Sequence, residues 1–326
     1  MNTGKEIWKQ VALKGHPRVN KHRRSNYASE TPVTDGQRIY AWFGMHGLYC
    51  YDMDGKLLWQ KDLGIFKTLN GWGTGSSPVL YNNTLYIQMD NEEQSFITAI
   101  DAATGDEKWR TARDEKTNYS TPVVWENKVR TELVVGGKTA RGYDLNTGKS
   151  LWQLNIGGDM NIPSPAYDKE RIYMGNEGRQ VKGKFYAIKA GAEGDITPPE
   201  GDSTSAGLAW SVSDAGQGSP SPLLYKGNLY IKSGRGGGFT CIQATDGKVI
   251  YKETLEGVGA VWSSPWAYND KVFFYDETGK THVIQAGSQY ALLGTNKLDD
   301  KFWSSVAIAG DAVLFRGVDK LFCVKE

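Results

Sequence analysis

One short element returns along this chain at nearly even intervals: Thr31-Pro32, Ser76-Ser77-Pro78, Ser120-Thr121-Pro122, Ser164-Pro165, Ser221-Pro222 and Ser263-Ser264-Pro265, with Ser304-Ser305 standing before Val306 where proline would follow. Successive copies lie about 45 residues apart, and the longest step is the 57 residues from Pro165 to Pro222. A period of roughly 40–50 residues means that each copy is one supersecondary unit, which buries its faces only against its neighbours.

Each copy reads as β structure. The Ser/Thr-Pro element leads into a first strand, and a turn follows. A second apolar run comes next, such as Thr84-Leu85-Tyr86-Ile87, Asn228-Leu229-Tyr230-Ile231 or Val272-Phe273-Phe274-Tyr275. A third strand ends in Cys50-Tyr51-Asp52, Ala99-Ile100-Asp101, Gly142-Tyr143-Asp144, Ala187-Ile188-Lys189, Cys241-Ile242-Gln243, Val283-Ile284-Gln285 and Cys323-Val324-Lys325. A tight turn then places a glycine four residues before an aromatic, as in Gly55 and Trp59, Gly105 and Trp109, or Gly247 and Tyr251, and the fourth strand begins. Seven such units predict an all-β, seven-bladed β-propeller of four-stranded antiparallel blades, a single domain over residues 1–326. Asn2-Thr3-Gly4-Lys5-Glu6-Ile7-Trp8 repeats the Asn146 to Trp152 stretch, so the chain starts on a fourth strand and ends at Glu326 after a third. The N-terminal strand is therefore expected to complete the last blade, which would leave no free edge. The alternative is an eight-bladed protein lacking its first blade.

The same register assigns the large aromatics. Trp8, Trp59, Trp109, Trp152, Trp210 and Tyr251 hold one position of the repeat, where a flat ring fills the wedge between neighbouring sheets. Cys50, Cys241 and Cys323 take the place of Ala99, Gly142, Ala187 and Val283, so each reads as a small apolar plug in a different blade.

The stretch Ala99-Ile100-Asp101-Ala102-Ala103-Thr104-Gly105-Asp106-Glu107-Lys108-Trp109 resembles the repeat of the pyrroloquinoline-quinone-like (PQQ-like) propellers, and the likeness runs over nearly the whole chain. That family includes quinoprotein alcohol dehydrogenases, the non-enzymatic outer-membrane assembly scaffold BamB, and secreted bacterial proteins of unknown function, which this sequence is most similar to. The resemblance implies a periplasmic or extracellular protein, although no signal peptide stands at the start of this chain. It leaves function open, because one fold hosts many sites.

Composition narrows the classes. The 38 Lys+Arg nearly balance 37 Asp+Glu, so the charge of +1 gives no footprint for nucleic acid. No apolar run reaches the length of a membrane span. Catalytic motifs are missing: no Gly-x-Ser-x-Gly elbow, no Cys-x-x-Cys, and no histidine pair at metal-binding spacing around His46 or His282. Asp52-Met53-Asp54-Gly55 lacks the remaining oxygens of a calcium loop and aligns with the hairpin turns at Asp101 and Asp144. The quinoproteins of the family sandwich their cofactor with two adjacent cysteines, which this chain does not have.

Function is expected where one unit departs from the rest. The 57-residue step holds a polar insertion, Glu193 to Ser205, between the third and fourth strands of its blade, read as a surface loop. The segment from His16 to Arg24 carries Arg18, Lys21, Arg23 and Arg24, with Lys14 just upstream, and is either an anion-facing loop or a solvated basic one. Trp72, Tyr119, Trp262 and Trp303 stand directly before inner strands, with Asn118 and Asn161 in matching links, a set of rings and amides suited to a ligand funnel. Gly71-Trp72-Gly73-Thr74-Gly75 and Gly234-Arg235-Gly236-Gly237-Gly238 read as turns, since no helix follows either. These readings lead to a monomeric, non-catalytic binding or scaffold propeller for a protein partner or a glycan, with no cofactor. The alternative is a dehydrogenase of alcohols or sugars using pyrroloquinoline quinone with calcium.

Overall fold

Each copy of the repeat folds as one antiparallel sheet whose strands follow chain order, so the architecture is the all-β, seven-bladed propeller that the period predicts. The computed structural model describes residues 3–23, 25, 28–176, 183–215, 218–233 and 236–325. Asn2, Arg24, Gly234 and Arg235 lie outside the described residues. Sheets 1 to 7 span residues 33–61, 79–112, 123–155, 166–212, 223–254, 266–297 and 307–325. The helical elements among the described residues are two short 3-10 turns, Gly44–His46 and Leu69–Gly71.

The chain forms two compact units. One comprises Met1–Val124 and Thr131–Leu151, and the other Trp125–Arg130 and Trp152–Glu326. In the first unit the core lies between successive sheets: Tyr40, Leu48 and Cys50 of sheet 1 pack with Leu85, Ile87 and Ile100 of sheet 2. The second unit repeats the plan, with Tyr173, Phe185 and Trp210 of sheet 4 against Leu229, Ile231 and Ile242 of sheet 5. A sheet covered on both faces needs apolar residues at consecutive positions, which is why the second strand of sheet 2, Thr84–Met89, is buried throughout.

Pairing across the third and fourth strands explains why the third strand carries a small residue. Cys50 faces Trp59, Ala99 faces Trp109, Ala187 faces Trp210 and Cys241 faces Tyr251, and the register shifts immediately after each small residue. A small side chain opposite a ring leaves it room on the same face. The indole then reaches the next sheet. Trp59 Nε1 donates to Ala102 O at 3.2 Å, Trp109 Nε1 to Leu145 O at 2.9 Å and Trp210 Nε1 to Ala244 O at 3.1 Å. The rings lie against Gly105, Gly148 and Gly247, all at positive φ, where a Cβ would strike the ring. Trp152 is buried in the outer strand of sheet 3, and Tyr251 meets Tyr290 edge to face at 5.7 Å.

The Ser/Thr-Pro hydroxyls have a structural task of their own. In the first unit the Thr31 N–H donates to Ser77 Oγ at 2.9 Å and the Ser77 N–H to Thr121 Oγ1 at 3.0 Å. In the second, Ser164 N–H donates to Ser221 Oγ, Ser221 N–H to Ser264 Oγ and Ser264 N–H to Ser305 Oγ, all within 3.1 Å. Each hydroxyl thus accepts the amide of the sheet before it, and in every copy but that of Ser305 the following proline has no N–H to place. Ser77→Ala is expected to cost about 1 kcal/mol by stranding one such amide, measured as a lower urea midpoint at unchanged slope.

Three expectations need correction. Residues 3–12 form no strand, and the seventh sheet has three strands among the described residues. The segment is instead anchored by Trp8, whose Nε1 donates to Met53 O at 2.8 Å and whose ring lies over Gly55. With the indole satisfied there, Ile7 and Val11 remain 94% and 61% exposed, and no burial drives the segment into a sheet. Secondly, the insertion after Glu193 is not simply a surface loop: Gly194–Asp195 pairs parallel with Trp152 and Gln153, and buried Ile196 donates its N–H to Gln153 O. An apolar residue inside a polar stretch draws that stretch onto the sheet edge. Finally, Cys50 and Cys241 are buried plugs, but Cys323 is exposed because its strand, Leu321–Lys325, is mostly solvent-facing.

Candidate functional site

In the first unit the basic segment is packed rather than open. His22 donates its N–H to Gly71 O at 2.8 Å and stacks on Trp72, ring centroids 3.6 Å apart. A Cβ at Gly71 would collide with Asn20 O, so the close approach depends on glycine there. Ser25 Oγ donates to Trp72 O, and Lys21 Nζ donates to Ser25 O at 2.6 Å and His22 O at 3.2 Å. Lys21 therefore stitches its own loop. Arg18 lies 3.8 Å from Asp62 in an exposed ion pair, and Arg23 is exposed. Trp72, one of the rings read as suited to a ligand funnel, has one face occupied by an imidazole.

Asn118 is also committed. Its Nδ2 donates to Glu115 Oε2 at 3.0 Å, to Lys116 O at 2.9 Å and to Asp90 Oδ2 at 3.4 Å, within a buried polar network. Arg113 holds Asp90 through two bonds, Nε to Oδ1 at 2.8 Å and Nη2 to Oδ2 at 3.1 Å, and donates to Tyr143 OH and Gly136 O. Burial works against its charge, but Asp90, Tyr143 and Glu115 outweigh it and hold the guanidinium above its ordinary pKa. Tyr119 lies on Gly75, with burial and the charge of Glu92 raising its phenol.

In the second unit Asn161 is buried, whereas Trp262 and Trp303 are 37% and 60% exposed. Both tryptophans belong to segments bound to one residue, Glu277. Its Oε2 accepts the Trp262 indole N–H at 3.1 Å, its carbonyl accepts the N–H of Phe302 at 3.2 Å, and its own N–H donates to Ala260 O at 2.8 Å. Phe302 and Ser304 are tied down on either side of Trp303: Phe302 is buried against Tyr275, and the Tyr275 hydroxyl donates to Ser304 O. The arrangement presents two exposed indoles on fixed backbone beside a carboxylate, a surface suited to recognition.

Sequence reasoning did not single out a buried charged group behind this turn. Lys232 is fully buried, donates to Ser233 O and Gly236 O at 2.7 Å each, and is pushed down to about 8 by burial, with the charge of Asp276 opposing. His282 stacks on Phe274 at 4.9 Å, and neither ring nitrogen meets a partner. Burial first, then the charges of Lys280 and Lys232 against the opposing charge of Asp276, hold its imidazole below the ordinary range. A charged or titratable residue inside an apolar strand run, as in Asn228–Lys232 and Lys280–Gln285, was the available signal. No group of three or more His, Cys, Asp or Glu able to hold a metal occurs among the described residues.

Comparison with known proteins gives the likeness a frame. The family model described as outer membrane protein assembly factor BamB matches residues 1–161 and 48–195. Among solved structures, BamB from Moraxella catarrhalis is 13% identical with a TM-score of 0.51, over 90% of this chain and 95% of that one. The quinohemoprotein alcohol dehydrogenase from Comamonas testosteroni is 13% identical with a TM-score of 0.51, over 69% of this chain but 43% of that one. The computationally designed Ika8 protein is 14% identical with a TM-score of 0.54, over 92% and 98%. At these identities the structural likeness speaks to fold. No curated protein matches by sequence.

Proposed function

The chain belongs to the family of the outer membrane protein assembly factor BamB, and on that premise we propose that it is a non-catalytic scaffold propeller that docks a protein partner through Trp262 and Trp303. The observation that carries this reading is the exposure of two indoles in segments that both bond to Glu277, through the Trp262 indole and Ala260 on one and through Phe302 on the other. Large rigid rings with little conformational freedom to lose are the side chains that dominate binding energy at protein interfaces. The family premise favours a protein partner over a glycan, and a periplasmic or cell-surface setting. No helix among the described residues is long and apolar enough to cross a membrane.

The dehydrogenase reading is less well supported. Pyrroloquinoline quinone with calcium would need a cluster of acidic donors and a cysteine pair, and the described residues do not fit it. Cys50, Cys241 and Cys323 stand in sheets 1, 5 and 7, and no acidic cluster of three forms. No reaction step is assigned to that group.

The test compares the chain with Trp262→Ala/Trp303→Ala, immobilised and exposed to envelope extract of the source cell, with retained proteins identified by mass spectrometry. The double variant is expected to lose, by more than about tenfold, the partner the native chain retains. Equal retention by both overturns the site. Loss confined to binding on a glycan array assigns the surface to sugars and overturns the protein reading.

A further inference from the structure

Two titratable side chains of the second unit are enclosed in one layer between sheets. Lys232 and Phe239 stand opposite one another on the second and third strands of sheet 5, Asn228–Lys232 and Gly238–Gln243. Phe274 and His282 stand opposite one another on the second and third strands of sheet 6, Lys271–Tyr275 and Lys280–Gln285. Directly opposed residues share a face of their sheet, and here the two faces meet. Phe239 stacks on Phe274 with centroids 5.6 Å apart, and Lys232 Nζ lies 5.5 Å from the centroid of the Phe274 ring. His282 stacks on that same ring at 4.9 Å. Lys232 and His282 are 0% and 1% exposed, so both are shut in around Phe274.

The layer provides for them unequally. Lys232 donates to two backbone carbonyls, whereas His282 Nδ1 and Nε2 meet no hydrogen-bonding group of the chain. A neutral imidazole leaves one donor and one acceptor unmet there, and a charged one would leave two donors unmet and bring a second cation into the layer. Burial is the first influence against the charged ring, followed by Lys280 on its own strand. Asp276, just past the strand of Phe274, favours the proton, and Lys232 of sheet 5 opposes it. Asp276 is engaged elsewhere: it accepts the amides of Gly259, Thr278 and Lys280 and the hydroxyl of Thr278.

The layer is joined to the indole turn. Residues 275–277 continue directly from Phe274, and each bonds the segment that carries Trp262. Tyr275 O accepts the Ser263 hydroxyl at 3.2 Å, Asp276 Oδ2 accepts the Gly259 N–H at 3.0 Å, and the Glu277 N–H donates to Ala260 O at 2.8 Å. A displacement of Phe274 is therefore passed along three bonded residues to the turn.

We propose that His282 is an acid-sensitive latch: neutral, it stays in the layer between sheets 5 and 6, and on protonation it leaves, parts the Phe274 stack and loosens the turn that holds Trp262. The packed chain disfavours the imidazolium, so the opened or unfolded chain binds the proton more tightly. Stability that is present above about pH 6.5 is thus lost as the pH falls below it. Lys232 acts in another window: pushed down to about 8 by burial, it is already charged throughout the acid range. That the loosened turn weakens docking rests on the binding role proposed for Trp262; the latch itself does not, and it is tested on the chain alone.

The experiment follows urea unfolding and the indole N–H signals of the full chain, made with isotope-labelled tryptophan, from about pH 7.5 to about pH 5.5. Below about pH 6.5 the unfolding equilibrium constant of the native chain is expected to rise by up to about tenfold more per pH unit than that of His282→Phe, which keeps a ring on Phe274 and takes no proton. The Trp262 signal, identified by its loss in Trp262→Phe, is expected to shift or broaden over the same range in the native chain only. Glu277 and the other acids titrate in both chains, so the comparison cancels them. Equal pH dependence of the two chains overturns the latch, and so does a Trp262 signal that moves alike in both or in neither. Should His282→Phe fail to fold, the ring carbon of His282 in the native chain decides by NMR. It is expected to hold its neutral position until the Trp262 signal changes and to move with it. A ring that takes its proton near its ordinary pKa while that signal stays unmoved overturns the proposal.

Discussion

Asp90→Ala is expected to lower the unfolding free energy by about 3–5 kcal/mol, the loss typical of removing one partner from a buried ion pair. The side chains of Asp90 and Arg113 are both fully excluded from solvent, so the alanine variant leaves a guanidinium in the interior without its counter-charge. Gln88 Nε2, which donates to Asp90 Oδ2 at 2.6 Å, and Asn118 lose an acceptor at the same time. Glu115 does not take over, because its two oxygens already receive the amides of Lys138 and Thr139 and the side chain of Asn118. Urea denaturation monitored by tryptophan fluorescence reads the loss. Asp90→Leu combined with Arg113→Met is expected to recover most of it, since a buried pair replaced as a whole by apolar groups is often neutral. A small loss in the single variant would show that water reaches the guanidinium.

Trp109→Ala is expected to cost about 3 kcal/mol, the scale of removing a packed indole. The ring fills the step between sheets 2 and 3 beside Tyr86, and its N–H satisfies Leu145 O. Trp109→Phe keeps much of the area but drops the donor, and should retain about 1 kcal/mol less than the native chain at that carbonyl. Gly148→Ala probes the same contact from the other side: at φ 69° an alanine is strained, and its Cβ would stand 2.5 Å from Trp109 Cε3. The three variants together separate area, hydrogen bond and fit by their denaturation midpoints.

Much of the candidate site was hidden for a definable reason. Trp72 and Trp262 hold the same kind of place before an inner strand, yet His22 covers Trp72 while Glu277 leaves Trp262 partly open. Which ring is capped depends on a contact between segments some 50 residues apart, which no local pattern encodes. Asn118 looked like Asn161 in register, but its amide is drawn to Glu115 and Asp90 because those carboxylates are buried and need donors.

What the chain determines locally is repetition: the length of the unit, four strands in order, a small residue opposite each ring, and glycine where an indole must lie flat. These follow from backbone sterics and from the area that a sheet buries on both faces, and both are set by residues near one another in the chain. What only the tertiary structure decides is the use of each exception. Trp8 is held at Met53 without a strand, Gly194–Asp195 joins the edge of another copy's sheet, and Lys232 and His282 are enclosed. Each of these depends on which distant groups remove water from a polar atom, and desolvation is a property of the packed molecule rather than of any segment within it.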